Sequence, residues 1–88
     1  MSLYFFHLRD GEDVLLDPEG RQLDGPDAVA KAALAEARSI ISDDVLQGRI
    51  DLHYRIDVED SDRNLVHRLH FADAIEIVGD ARRANERR

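Results

Sequence analysis

Four histidines, His7, His53, His67 and His70, are the residues of this 88-residue chain best suited to chemistry. Imidazole is the commonest metal ligand and the side chain that changes charge nearest neutral pH. His7, His53 and His70 all fall on outward positions of sequence segments that alternate like strands. On neighbouring strands they would present three nitrogens to a zinc or copper ion. No short-range ligand pair supports that arrangement, because "HRLH" puts His67 and His70 on opposite faces of one strand. The plainer reading, taken here, is that outward strand positions include histidine, with no metal and no cofactor expected and His7, His53 and His70 as the only candidate ligands.

The acidic residues offer less. "DSDRN" (Asp60–Asn64) begins like a calcium loop, but Leu65 stands where the loop needs glycine and Phe71 where it needs a bidentate glutamate. A hairpin turn rich in Asp and Asn accounts for the same residues. Asp44 falls inside the apolar arc of a helix, near its negative end: either the helix loosens before it, or it meets a partner such as Arg49 or Arg55. None of Ser2, Ser39, Ser42 and Ser61 lies in a strand-to-helix elbow, and "LDGPDA" has too few glycines to cradle phosphate. The chain is read as non-enzymatic, with no catalytic residue.

There is no cysteine. Disulfides, thiol catalysis and thiolate metal sites are excluded, which fits a reducing compartment. No apolar run approaches a membrane span, and the start lacks a basic segment before an apolar core, so a cytoplasmic location is expected. The net charge is −7, unevenly spread: residues 80–88 hold four arginines, Arg82, Arg83, Arg87 and Arg88, against Asp80 and Glu86. So acidic a body repels nucleic acid and anionic membrane. Neither is expected as a partner, and residues 80–88 are read as a basic tail beyond a single domain of residues 1–79.

The elements that would position these residues follow from periodicity. "YFFHLRDG" (Tyr4–Gly11) reads as a strand with Tyr4, Phe6 and Leu8 on one face and Leu3, Phe5 and His7 on the other, ended by a turn at Asp10-Gly11. "VLLD" (Val14–Asp17) returns, "DPEG" turns again, and "RQL" either extends the hairpin or leads to the helix. Pro26 and Gly48 bracket an amphipathic helix with Val29, Ala30, Ala33, Leu34, Ala37, Ile40 and Ile41 on its apolar side. "DLHYRIDVED" alternates Leu52, Tyr54, Ile56 and Val58 with His53, Arg55, Asp57 and Glu59. "LVHRLHF" returns, with Leu65, Leu69 and Phe71 inward and His67 sharing their parity. The expectation is an α+β fold: a two-layer β-β-α-β-β domain, its sheet essentially antiparallel, one long helix on one face.

The opening "YFFHLRDG", with "DPEGRQLDG" before an Ala-rich helix, "DDVLQGR" at its end and "LVHRLHFADAIEI", resembles a family of short uncharacterised proteobacterial proteins. That family is common in rhizobia and known as a domain of unknown function. The resemblance implies a small α+β fold in a bacterial cytoplasm and carries no activity, cofactor or site residue.

One helix covers one face of a sheet. The other face would hold Leu3 and Phe5 rimmed by His53, Arg55 and His70, which is how a sheet interface is written. A domain this small has a thin core, and dimerisation is a common remedy. The expected function is therefore a protein-interaction module, a homodimer or a partner-binding domain, with Leu3, Phe5, His53 and Arg55 in the interface. The alternative is a small-ligand or metal-responsive domain using the histidines of that face.

Overall fold

The computed structural model describes residues 1–79. The basic tail, residues 80–88, lies outside the described residues. Strand β1 (Ser2–Asp10) is followed by β2 (Asp13–Leu15), β3 (Arg21–Leu23), helix α1 (Pro26–Leu46), β4 (Arg55–Asp60) and β5 (Leu65–His70), and a 3-10 turn at Phe71–Asp73 closes the order. The α+β architecture is the expected one, an antiparallel sheet with one long helix, but with one strand more than expected.

That strand is β3, and it pairs with the beginning of β1 (Tyr4 with Arg21, Ser2 with Leu23) while β2 pairs with its end (Leu8 with Leu15, Arg9 with Val14). One long strand is thus flanked on the same side by two short ones. The β1–β2 loop is Gly11-Glu12, one residue later than the Asp10-Gly11 expected. Gly11 has φ 62, which suits the two-residue primed turn that takes glycine first. On its other side β1 pairs with β4, and β4 with β5, the outer strand.

Register sorts the side chains. Phe6 lies across from Val58 and Leu8 from Ile56, and these meet α1 through its buried Val29, Ala33, Ala37 and Ile41. The four helix positions are spaced by four, one stripe of the helix surface, and two are alanine, so the axis sits close over large sheet residues. Phe71, wholly buried, completes this core beside Tyr54, 5.5 Å between ring centroids. Pro26 begins α1, and Gly48 (φ 88) stops it just beyond the Gln47 cap.

Two expectations are corrected. Leu65 is not inward: a register irregularity between Val58 and Glu59 sets it opposite Glu59, half exposed, while His67 lies opposite Val58 and is partly buried. Strand β4 starts at Arg55, not at Asp51. The Asp51 carboxylate accepts the His53 N–H at 3.0 Å and contacts His53 Nδ1, a local turn that bends these residues out of the sheet.

Candidate functional site

The sheet face away from α1 carries Leu3, Phe5, His7 and Arg9 from β1, Arg55, Asp57 and Glu59 from β4, and Arg68 and His70 from β5. It divides along the strands into two ends.

At the Phe5 end the chain covers part of its own face. β1 outruns the pairing of β2 and β3, leaving the middle of its edge without a strand. Asp17 fills the gap: its Oδ2 accepts the Phe6 N–H at 3.0 Å, and its Oδ1 accepts those of Glu19 and Gly20 at 3.1 Å. Burial pushes the Asp17 carboxyl up, but the hydrogen bonds from Phe6, Gly20 and Glu19 outweigh it and hold its pKa below the usual 3.8. The Asp17 N–H in turn donates to His7 Nδ1 at 3.1 Å, and His7 Nε2 lies 3.1 Å from Glu59 Oε1. Because Nδ1 receives a proton donor, the ring is held as the Nε2–H tautomer that donates to Glu59.

Phe5 stacks along this imidazole, 6.4 Å between centroids and 9° from parallel. Gly20, at φ 75, packs against the Tyr4 carbonyl, Leu3 and Phe5 so closely that a Cβ there would lie 2.9–3.0 Å from each. Between the loop and the β4–β5 turn runs a groove of about 660 Å³, lined by Phe5, His7, Leu16, Pro18, Glu59 and Arg63 among others. Both nitrogens of His7 are already engaged, so the groove gains no free base from it.

The other end is ionic. Asp57, only 3% exposed, receives three arginines. Arg68 binds it in parallel through Nε (2.7 Å to Oδ1) and Nη2 (3.2 Å to Oδ2), and Arg55 Nε approaches Oδ2 at 3.4 Å. Arg9 Nε is 2.8 Å from Oδ2, yet its N–H is not aimed at the oxygen. That contact is an ion pair without a hydrogen bond, and the buried Arg9 Nε has no acceptor. Burial works to raise the Asp57 pKa, but Arg68, by hydrogen bond and charge, and then Arg55 bring it below the usual 3.8; Asp57 in return raises that of Arg68.

A family model described as a domain of unknown function (DUF6894) matches residues 3–72. The chain belongs to this family. The DUF6894 match takes in every residue of both ends, from Leu3 to His70. No curated protein and no solved structure matches the chain.

Of the residues singled out in the sequence of this DUF6894 domain, Leu3, Phe5 and Arg55 lie on the open face, the first two at one end and Arg55 at the other. His53 does not: it sits in the turn before β4, highly exposed and tied to Asp51. The three candidate metal ligands are not brought together either. His7 is buried with both nitrogens in use, His53 is off the sheet, and His70 is across from Arg55. Among the described residues no group of three or more His, Cys, Asp or Glu side chains is placed to hold a metal ion. The Asp60 carboxylate of the calcium-like run instead accepts the Asp62 and Asn64 N–H groups at 2.9 Å, as a hairpin turn requires. Asp44 is half-buried near the end of α1, and its expected partners lie elsewhere: Arg49 pairs with Asp51 and Arg55 with Asp57. No described helix is long and apolar enough to cross a membrane.

Asp17, Arg9, Asp57 and Arg68 were not singled out. Arg55 and Asp57 share outward parity in "RIDVED", as Arg9 does with Phe5 and His7, so parity alone was a signal for a polar cluster. Only the strand order, which puts β4 between β1 and β5, makes them converge.

Proposed function

We propose that this domain is a non-enzymatic protein-interaction module that docks another protein chain, a second copy or a different partner, on the sheet face away from α1. The observation that carries the reading is the makeup of that face. Half-buried Leu3 and Phe5 and half-exposed Leu65 lie at one end, arginines at the other, and the domain's one helix is spent on the opposite side. An apolar patch beside charged groups is the composition of a docking surface, not of a solvated one. The setting we read for it is the cytoplasm of a rhizobial-type proteobacterium, supported by the resemblance of its opening "YFFHLRDG" and by the absence of cysteine.

Light scattering behind a size-exclusion column, over a hundredfold range of concentration, tests the reading together with Phe5→Arg. The expected result is an assembly, with itself or with a captured partner, that Phe5→Arg disperses while the domain stays folded. If Phe5→Arg leaves assembly, stability and partner capture unchanged, the reading fails.

A further inference from the structure

We infer that Arg9, Arg55 and Arg68 form a carboxylate-binding site, and that the protein docking on the open face does so with an acidic segment; this rests on the interaction reading above. Three guanidinium groups meet one carboxylate, which leaves this cluster with two positive charges in excess at one end of the face, in a chain whose net charge is −7. One arginine would have sufficed to satisfy Asp57, since Arg68 already binds both its oxygens. The other two add mutual repulsion that the fold does not require.

All three reach Asp57 through the Nε side. Among the described residues the terminal nitrogens of Arg9 and Arg55 make no hydrogen bond, and those of Arg68 bind only Asp57. The buried carboxylate therefore acts as an anchor that fixes the guanidinium groups and lowers the entropy cost of binding. The buried Arg9 Nε lies against Asp57, so the terminal nitrogens are the groups a docking segment would meet.

The class of ligand follows from shape and charge. The arginines stand on a sheet surface, while small-molecule sites are concave, so a macromolecule is favoured. Because the inference rests on the interaction reading, that macromolecule is taken to be a protein chain, and the local excess of guanidinium groups sets the charge of the segment that meets it. The ligand is then a protein segment whose carboxylates take the free forks as planar bidentate pairs, with the Leu3 and Phe5 end supplying apolar contact alongside.

The test is an NMR titration of the full chain with a hexaglutamate peptide at low salt, read at the arginine Nε–Hε signals. Inorganic phosphate is titrated in parallel. Saturable shifts at Arg9, Arg55 and Arg68 that fade as salt is added are expected. Arg55→Gln, which leaves the bidentate Arg68 contact in place, should weaken the peptide about tenfold, the loss of one charged hydrogen-bonding group. Lys31→Gln on the exposed side of α1 should change nothing. The wild-type titration stands whether or not a variant folds. Shifts absent from the three arginines, or confined to residues 80–88, overturn the inference, as does response to phosphate without response to the peptide. Because the peptide is read on the domain by itself, failure here is distinct from failure of Phe5→Arg to disperse an assembly.

Discussion

At the Phe5 end of the open face, a loop that carries one aspartate, Asp17, links β1, His7 and Glu59 through hydrogen bonds that leave both imidazole nitrogens in use. At the Arg9 end, four charged side chains meet and the positive ones outnumber the negative three to one. The first network is closed: its valences are met inside the fold, so it explains itself as structure. The second is open, with donors and charge left over. Two clusters of similar size on one sheet face thus call for different explanations, and unspent valence, more than the mere presence of His or Arg, separates them.

The comparison is easiest to break at Asp57. Asp57→Ala removes the single anion from among three arginines and should cost about 3–5 kcal/mol, as for other buried ion pairs cut on one side. In a domain of this length that is a fall in melting temperature of more than about 12 °C. A loss below about 1 kcal/mol would show that water, not Asp57, solvates the arginines, and the two ends would no longer differ in kind.

Gly20→Ala probes the other end. The φ of 75 disfavours any Cβ, and the added carbon would press on the Tyr4 carbonyl, Leu3 and Phe5. Strain and overpacking together predict about 1–3 kcal/mol in denaturant unfolding. Hexaglutamate binding at the arginines should be unchanged in this variant. If it weakens as much as in Arg55→Gln, the ends are coupled and the division between them is wrong.

The sequence reached one layer of this and not the next. Alternation alone separates Tyr4, Phe6 and Leu8 from Leu3, Phe5 and His7, and Ile56 and Val58 from Arg55, Asp57 and Glu59, because strand periodicity is local. Whether Arg9 and Arg68 meet at Asp57 depends on which strands are neighbours, and no local pattern encodes that. Asp17 was hidden for another reason. In "DPEG" it reads as an ordinary turn residue, which it is, since it caps Glu19 and Gly20; its second role, standing in for a strand beside Phe6, exists only once β2 and β3 flank the same edge. Leu65 and His53 were misplaced by a β-bulge and by an Asp51 turn, each a departure of one or two residues that resets face or extent.

Acid should affect both ends, and the part that belongs to Asp17 can be isolated. Asp17 and Asp57 each have a folded-state pKa below the usual 3.8. The folded protein thus binds fewer protons than the unfolded chain, and lowering the pH favours unfolding. The stabilisation is complete above the unfolded value and is lost as pH falls through about 4 toward the folded values, which urea unfolding at a series of pH values reads as a falling midpoint. Asp17→Asn keeps a carbonyl oxygen at the edge of β1 but cannot be protonated in this range. It should start lower at neutral pH, where a charged acceptor is lost, and then fall less steeply in acid, converging on the wild type as Asp17 is neutralised there. What steepness remains is shared by Asp57 with its three arginines and by the turn carboxylates Asp51 and Asp60, whose pKa values are also held below 3.8. If the variant and the wild type instead fall in parallel, Asp17 holds the loop as a neutral acceptor would, and its charge adds nothing to the stability of the Phe5 end.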